Sequence, residues 1–240
     1  MDSVAKIEAE IARIRAELQR RQRDERYKLY VPTGKGEEFL DMAFSNESFI
    51  SLFSAANGIG KSALMMNALA NLCFPCGNKF FQQDLFKKWK YLKRIRIVSD
   101  PANIEKNIVP ELKLWFPRGK YTTEKKGKHF ESYFLTSTGW EIDLMSTEQD
   151  PKEFESVNLG MVWIDEPVPE SIYKACVSRL RRGGIMIITA TPLKGSAWMY
   201  DKIICGTDNE AGHRAFLEAD VWSASKGRGI RGFLDDEALS

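Results

Sequence analysis

The sequence contains little histidine, little cysteine, almost no net charge and no long apolar run. Its 240 residues include 2 histidines and 4 cysteines, and the formal net charge is +2. The histidines, His129 and His213, are isolated, which excludes a histidine-rich metal centre. No apolar run approaches the about 20 residues that a membrane-spanning helix needs, and the N-terminus begins a charged helix rather than a signal peptide. We therefore expect no membrane association and a protein that acts inside a cell.

The cysteines do not form a metal site either. Cys73 and Cys76 have the spacing of a redox or half-zinc motif, but no second Cys or His pair completes a zinc site. A redox motif opens a helix, whereas this pair closes a helix-forming run, so we interpret it as structural. The apolar fraction of 43% and the charged fraction of 28% are typical of a globular domain.

A phosphate-binding loop is the most specific pattern in the chain. A strand-like apolar run near residues 49–54 meets a small-residue loop, AANGIGKS at residues 55–62, and a helix-forming run follows. In such a loop, backbone N–H groups bind phosphate oxygens, the lysine reaches the β- and γ-phosphates, and the hydroxyl binds Mg²⁺. We therefore expect ATP and Mg²⁺ as cofactors. The predicted nucleotide-binding residues are Ala56, Asn57, Gly58, Ile59, Gly60, Lys61 and Ser62, and Ser62 also binds the metal.

Two carboxylates follow a second buried strand. The unbroken apolar run at residues 161–164 predicts a strand covered on both faces, and it ends in Asp165, Glu166 and Pro167. This is a Walker B arrangement, in which Asp165 holds the metal and Glu166 orients and deprotonates an attacking water. Phosphoryl transfer needs little from the protein beyond such positioning and charge neutralisation.

A third apolar run, at residues 184–189, leads into Thr189, Ala190 and Thr191. Hydroxyl groups at the end of a central strand are able to hydrogen-bond a γ-phosphate or the attacking water and report hydrolysis to the next segment. We therefore predict a coupling role for Thr189 and Thr191. Strands that alternate with helices predict an α/β fold with a mostly parallel sheet covered on both faces.

These elements together resemble the ATPase domain of the large terminase subunit, the DNA-packaging motor of tailed bacteriophages. The matching segments are residues 55–62 (AANGIGKS), 162–167 (VWIDEP), 188–195 (ITATPLKG) followed by Trp198, and 34–40 (GKGEEFL). The likeness spans about residues 27–222. Ala55 stands where the general phosphate-loop pattern has glycine, a variation that is common in terminases.

The resemblance implies a P-loop NTPase of the additional-strand, catalytic-glutamate type with a small C-terminal lid-like segment. It implies double-stranded DNA, the capsid portal and the small terminase subunit as partners, in the cytoplasm of the host cell. The chain would be a monomer in isolation and a homo-oligomeric ring when assembled. The nuclease domain of the family would follow this sequence in a longer protein, so we expect no nuclease activity from these residues.

Three regions follow from this interpretation: a charged N-terminal helix at residues 1–26, the ATPase domain at 27–222, and a basic glycine loop with the start of a lid or linker at 223–240. The glycine loop, GRGIRG at 227–232, formally matches a dinucleotide motif, but no long apolar helix follows it. The N-terminal helix carries an apolar seam, which packs on the core or on a neighbouring subunit. The seam consists of Val4, Ile7, Ile11, Ile14 and Leu18.

Further elements are predicted by periodicity and turn residues. We expect strands at residues 94–98 and 215–222, and a hairpin of 129–136 with 140–145. Helices are expected at about 60–73, 102–114, 170–182 and 196–204.

The segment from residue 79 to residue 128 is strongly basic. It contains fourteen Lys and Arg residues and five Asp and Glu residues, which gives a net charge of +9, with seven aromatic residues interleaved. Such a segment is able to follow the phosphates of DNA without sequence preference. The alternative is that it forms ordinary solvated faces, because segment charge is not surface charge.

Adenine and arginine contacts are less specific. Tyr27 and Tyr30 are candidates for stacking on adenine, and Gly36 stands where the family often has Gln. Many relatives carry an arginine shortly before the Walker B strand, where this chain has Phe154, Glu155 and Ser156. An arginine at the γ-phosphate, from the same subunit or a neighbour, would come from another position. The candidates are Arg94, Arg96, Arg118, Arg179, Arg181 and Arg182.

The sequence thus predicts an ATPase that translocates DNA into a viral procapsid. One alternative is a helicase-like DNA-dependent ATPase, which needs a second motor domain or further motifs. The other is a nucleotide-regulated DNA-binding or scaffold protein without turnover, which has no need of a general base such as Glu166.

Overall fold

The computed structural model describes residues 2–155, 157–191, 197–206 and 214–236, with side chains from residue 5 onward. The predictions that concern Ser156, residues 192–196 of the third motif, and His213 lie outside these residues. Within them, one eight-stranded sheet runs through the domain. Its order is β3-β4-β5-β2-β6-β7-β1-β8. The strands are β1 (Ile50–Ala55), β2 (Arg94–Ser99), β3 (Tyr121–Glu124), β4 (Tyr133–Thr136), β5 (Glu141–Ser146), β6 (Met161–Asp165), β7 (Ile185–Ala190) and β8 (Arg214–Ala219).

Helices connect these strands. The longest is α1 at the N-terminus, and no helix in the described part of the chain is long and apolar enough to cross a bilayer. A π-helical stretch, Ile104–Ile108, joins α5 to α6, and another, Tyr200–Ile204, follows α8. The helices are α1 (Asp2–Asp24), α2 (Gly34–Phe44), α3 (Lys61–Cys73), α4 (Asp84–Lys87), α5 (Pro101–Asn103), α6 (Val109–Trp115), α7 (Glu170–Val177) and α8 (Ala197–Met199).

Alternate residues of the central strands enter two separate cores. Phe53 and Trp163 face the core that contains α2, α3 and α6, whereas Leu52 and Ile164 face the core that contains α7. All four side chains are buried. Covering both faces of a parallel sheet requires strands that are apolar throughout, which is the pattern seen at residues 161–164.

The predicted fold class is confirmed. Strand β7 pairs in parallel with both β1 and β6, so it is the additional strand between the nucleotide strand and the Walker B strand. The strand predicted at residues 94–98 is β2, a member of the same sheet. The predicted hairpin is present as β4 and β5.

Several elements differ from the sequence-based expectations. Strand β3 was not predicted, because its polar residues lie at the sheet edge and lack an alternating pattern. Helix α2 was also not predicted; its N-cap is Thr33, whose hydroxyl accepts the N–H of Gly36. The helix expected at 170–182 ends as an α-helix at Val177 and continues as a 3₁₀ turn, Ser178–Leu180, before Gly183 and Gly184. The strand expected at 215–222 ends at Ala219.

Part of the charge in the basic segment is neutralised by residues outside it. Arg94 pairs with Glu141, and Lys113 pairs with Glu131. The guanidinium of Arg96 is 1% exposed and donates to Asp143 at 2.7 Å and to the carbonyl of Phe154 at 2.7 Å. These three cations therefore stabilise the domain rather than form a free basic surface.

The buried Arg96 pair gives a test of this arrangement. Arg96→Met should lower the free energy of unfolding by about 1–3 kcal/mol, because the Asp143 carboxylate, itself 26% exposed, and the buried carbonyl of Phe154 both lose their donor. The matched control is Arg94→Met, on the same face of the same strand but with a half-exposed pair, which should cost less than about 1 kcal/mol. The double change Arg96→Met with Asp143→Leu should recover most of the loss. Urea denaturation measures all three; equal losses for Arg96→Met and Arg94→Met would contradict the buried-pair account.

Candidate nucleotide site

The predicted site residues meet at one edge of the sheet. Strands β1, β7 and β6 are neighbours and parallel, so their carboxyl ends lie side by side. The phosphate loop follows β1, Thr191 follows β7 and Glu166 follows β6. Carboxyl edges of parallel sheets are where such folds bind ligands, because loops and helix N-termini converge there.

The phosphate loop bends through two glycines into α3. Gly58 and Gly60 have φ values of 79° and 89°, a left-handed conformation that side chains disfavour. Helix α3 then begins at Lys61, so its first N–H groups and positive dipole end face the loop. The loop therefore offers backbone donors to an anion at the place that the sequence predicts.

Lys61 is held against its own loop. Its Nζ donates to the carbonyls of Ala55 at 2.6 Å and Ala56 at 3.1 Å, and lies 3.4 Å from the Oγ1 of Thr191. The side chain is 7% exposed. Burial lowers the pKa of the Lys61 ammonium, and the carboxylates of Glu166 and Asp165 oppose that shift. The lysine is thus a buried cation poised between the loop and the two acids.

Asp165 is a buried carboxylate with two donors. Its Oδ1 accepts from Thr189 Oγ1 at 2.7 Å, and its Oδ2 accepts from Asn103 Nδ2 at 2.9 Å. Burial raises the pKa of Asp165, while the hydrogen bonds from Thr189 and Asn103 oppose the rise. Because each carboxylate oxygen has a second lone pair, Asp165 keeps the capacity to bind a cation.

Glu166 has a strained backbone and a fixed carboxylate. Its φ of 68° is unusual for a residue with a side chain, and such outliers concentrate at functional sites. Its N–H donates to the carbonyl of Thr189 at 2.8 Å. Its carboxylate accepts from the N–H of Thr191 at 3.1 Å and from the Thr191 hydroxyl at 3.0 Å. Strand β7 therefore orients Glu166 as well as Asp165.

Thr189, which lies in β7, and Thr191, which follows β7, have different surroundings. Thr189 is fully buried and links the indole N–H of Trp163, at 2.9 Å, to Asp165. Thr191 is partly exposed, and its hydroxyl lies 2.7 Å from Asn57 Oδ1 and 3.0 Å from Glu166 Oε1. A hydroxyl has one proton, so Thr191 fully donates to one of these acceptors at a time.

An apolar pocket of about 280 Å³ adjoins the phosphate loop. Tyr30, Ile59, Leu64 and Phe233 line it, and Gly36 also lies on its wall. An apolar pocket beside a phosphate loop suits a nucleobase. The ring of Tyr27 is instead buried against Phe74, so the expectation of a base contact from Tyr27 is corrected, and Tyr30 is the tyrosine that lines the pocket.

Phe233 reaches this pocket because the C-terminal segment packs on residues 32–37. The N–H of Gly34 donates to the carbonyl of Ile230 at 2.7 Å, and a Cβ on Gly34 would lie 2.6 Å from that of Ile230. Arg231 donates to the carbonyl of Pro32 at 2.9 Å and pairs with Glu37. The glycine loop is thus closely packed on the domain beside the phosphate loop.

The candidate arginines lie away from this edge. Arg94 begins β2, and the carbonyl of Arg179 accepts the N–H of Leu159, which precedes β6. Arg181 and Arg182 occupy the turn that precedes β7. All four therefore lie at the amino ends of the strands, on the opposite edge. Arg96 is buried in its ion pair, and the backbone of Arg118 bonds to Asp24 at the end of α1. Of the two possibilities for the candidate arginines, a neighbouring subunit's site is therefore the one that their positions favour.

The sequence-based prediction missed three residues of the site, Asn103, Ser99 and Phe233, and it also missed the contact that the predicted Asn57 makes with Thr191. Asn103 bonds to Asp165, and also to Ser99, whose hydroxyl donates to the carbonyl of Asp165 at 3.0 Å. The sequence pattern that could have indicated Asn103 and Ser99 is the polar pair Ser99 and Asp100 at the end of an apolar strand. The contact of Asn57 with Thr191, and the approach of Phe233 to Gly60, join residues that are distant in the chain and leave no local pattern.

The donor set fits Mg²⁺. Ser62 and Asp165 supply hard oxygen ligands, and at phosphate sites this ion is commonly held by one or two carboxylates together with phosphate oxygens. The described residues contain no group of three or more His, Cys, Asp and Glu that would bind a metal by themselves.

The hydroxyl of Thr189 gives a pH-dependent test. Thr189→Val leaves the indole and a carboxylate oxygen without a partner and should lower the free energy of unfolding by about 1–3 kcal/mol near neutral pH. The hydroxyl lowers the pKa of Asp165, so its removal raises that pKa further, and the folded variant binds more protons. The loss should therefore grow as pH rises through the pKa of Asp165 and shrink in acid.

The matched control, Thr189→Ser, keeps the hydroxyl and loses one methyl group, so its cost should not change with pH. Urea denaturation between about pH 4 and about pH 8 gives both curves. Parallel pH profiles for the two variants would show that Thr189 does not support the charged form of Asp165.

Solved structures of bacteriophage large terminases share this fold. The large terminase of a thermophilic bacteriophage, in complex with ADP, aligns with a TM-score of 0.55 and 14% identity over 79% of this chain and 45% of its own. The chain thus spans less than half the length of that protein. The ATPase domain of the Thermus phage P74-26 large terminase aligns with a TM-score of 0.54 and 14% identity over 81% of this chain and 82% of its own.

A helicase shares the fold as well. The UvsW helicase from bacteriophage T4 aligns with a TM-score of 0.50 and 10% identity over 79% of this chain and 61% of its own. The sequence matches no protein-family model and no curated protein. At these identities the likeness establishes the fold: the chain has the P-loop fold of phage large-terminase ATPase domains, as its motifs predicted.

Proposed function

We propose that this chain is the ATP-hydrolysing motor domain of a DNA-packaging terminase and drives double-stranded DNA into a viral procapsid. The observation that carries the proposal is the meeting of Lys61, Asp165 and Glu166 at one sheet edge, with Thr191 between the lysine and the glutamate. This constellation supports nucleotide hydrolysis by its chemistry. The packaging role is supported by the fold shared with the two phage large terminases.

The binding roles follow from the donors at the loop. Residues 56–62 bind the phosphates through backbone N–H groups, and Lys61 releases its loop carbonyls to contact the β- and γ-oxygens. Tyr30 and Phe233 contact the base. Ser62 and Asp165 hold Mg²⁺, which when bound neutralises charge on the phosphate oxygens.

Glu166 is the general base in this proposal. A positioned carboxylate takes the proton of the attacking water, and its fixed orientation lowers the cost of reaching that geometry. Thr191 senses the phosphate, because its one proton serves either Asn57 or Glu166 and a bound γ-phosphate biases the choice. Thr189 keeps Asp165 in place, so both threonines couple the site to the chain that follows.

P-loop enzymes usually stabilise the charge at the γ-phosphate with an arginine, and the candidate arginines of the same subunit that lie at the amino ends of the strands do not reach it. Because Arg94, Arg179 and Arg182 lie on the opposite sheet edge, we propose that an arginine of a neighbouring subunit completes the site in a homo-oligomeric ring. Double-stranded DNA, the capsid portal and the small terminase subunit are the partners of that ring, in the host cytoplasm.

A helicase-like ATPase is the second candidate, since the UvsW helicase shares the fold. A protein without turnover is disfavoured, because a strained, doubly hydrogen-bonded glutamate beside a phosphate loop serves hydrolysis and not binding alone.

Two substitutions separate binding from chemistry. Glu166→Gln keeps the shape but removes the base, so Mg-ATP should still bind while turnover falls about 10²-fold or more. Lys61→Ala should weaken nucleotide binding and abolish hydrolysis, because the buried cation is lost. Asp165→Asn should weaken binding only when Mg²⁺ is present. Calorimetry and phosphate release measure these effects, and an equal binding defect in all three variants would contradict the assigned roles.

The packaging role has its own assay. Purified procapsids, the full-length protein and ATP should make added duplex DNA resistant to nuclease, and Glu166→Gln protein should not. Strand separation of duplex DNA without procapsids would instead favour the helicase candidate. Normal ATP turnover without DNA protection and without strand separation would support the proposed hydrolysis and contradict the proposed packaging role.

Dependence on a neighbour's arginine predicts poisoning by inactive subunits. The isolated chain should hydrolyse ATP slowly, and turnover per subunit should rise when DNA and portal assemble the ring. Added Glu166→Gln subunits should then lower activity by more than their share. If the isolated chain already hydrolyses ATP quickly, and if activity falls in simple proportion to the fraction of inactive subunits, a residue of the same subunit completes the site.

A further inference from the structure

The N-terminal helix α1 carries an apolar seam that the domain does not cover. Every side chain from Ala5 to Ala16 is exposed. The seam residues Ile7, Ile11, Ile14 and Leu18 are 59%, 43%, 57% and 45% exposed. Helix α1 is 23 residues long, or about 35 Å, and it touches the domain at its C-terminal end, where Asp24 accepts from the N–H of Arg118. The sequence leaves two alternatives for the seam, packing on the core or on a neighbouring subunit. The exposure of the seam contradicts the first of them.

The seam continues into a groove at the base of the helix. Ile14 and Leu18 line this groove together with Leu29, which is itself 37% exposed. Arg13, Glu17 and Arg21 form its polar rim. An apolar stripe with spacing 3 and 4 and charged flanks is the surface that a second helix covers in a coiled coil.

The flanking charges favour one occupant. We propose that the seam binds the α1 helix of a second copy of this chain, in parallel and in register. In heptad terms Ile11 is an a position, Ile14 is a d position, Glu10 is a g position and Arg15 is an e position. Parallel helices bring the g residue of one copy against the next e residue of the other, so Glu10 faces Arg15 on both sides of the seam.

The other orientation lacks this complementarity. Antiparallel helices bring equivalent flanks together, which places Glu10 of one copy near Glu17 of the other. In the parallel arrangement the other flanking pair among residues with described side chains, Glu17 with Gln22, contains no like charges, and the pairing ends at Leu18 because the next d position is Arg21. Within one helix Glu10 pairs with Arg13 at 2.7 Å, but both side chains are largely exposed, so this pair competes weakly.

The association is weak because the helix is short. Little more than two heptads bury few apolar side chains, so copies pair at high protein concentration. The pairing is independent of the nucleotide site and does not rest on the proposed function.

The experiment uses sedimentation velocity of the chain from about 1 µM to about 200 µM. The parent protein should shift from monomer to a larger species, and Ile14→Asp should abolish the shift by burying a charge in the seam. Ala16→Asp, on the far face of the same helix, is the matched control and should associate like the parent. Both positions are exposed, so circular dichroism should show unchanged folding.

Charge exchange tests orientation and partner together. E10R and R15E each place like charges across the seam and should weaken self-association about tenfold. An equimolar mixture of the two variants restores two opposite-charge pairs and should associate at least as well as the parent. Arg13→Ala controls for loss of the pair within one helix.

Three results overturn the proposal. A parent chain that stays monomeric across the range shows that the seam does not bind a second copy of this chain. Unchanged association of Ile14→Asp shows that another surface is responsible. Single charge variants that associate as well as their mixture show that the helices do not meet in parallel.

Discussion

The pairing of β7 with β6 is the constraint on which the site depends. This pairing sets Thr189 beside Asp165, so one residue of β7 supplies a hydroxyl to Asp165 and a carbonyl to the N–H of Glu166. Two residues later, Thr191 fixes the Glu166 carboxylate. A shift of register by one residue would turn Thr189 to the other face of the sheet and remove all of these contacts.

The same pairing makes a buried carboxylate tolerable. Asp165 is 4% exposed, and its ionised form is supported by two donors and by the cation of Lys61. Trp163 also holds the Thr189 side chain in place, because its indole N–H donates a hydrogen bond to the Thr189 hydroxyl. The buried aromatic residue therefore belongs to the site as much as to the core. The helix α3 that carries Lys61 is buried along its length, so the phosphate loop is anchored on a rigid element.

Chain order and spatial order differ most at the arginines and the two tyrosines. Arg94, Arg179 and Arg182 are candidates for their own or a neighbouring subunit's site, and the parallel sheet places them at the opposite end of its strands from their own phosphate loop. Tyr27 and Tyr30 are three residues apart, and yet one ring enters the core while the other lines the base pocket. Three cations of the basic segment find acidic partners outside it, which the charge of the segment by itself does not reveal.

The sequence by itself determined the fold class and the three strands that end in motif residues. It also predicted that one group of residues forms the site: Lys61, Ser62, Asp165, Glu166, Thr189 and Thr191. It did so because loops at strand ends need particular residue types, and those types appear as local patterns. Only the tertiary structure decided that Asn103, Ser99 and Phe233 join this group, that β3 lies at the edge of the sheet, and that the seam of α1 faces solvent. These features arise from contacts between residues that are distant in the chain. The free energy of such contacts depends on packing and charge in the folded structure, and not on the residues next to each other in the sequence.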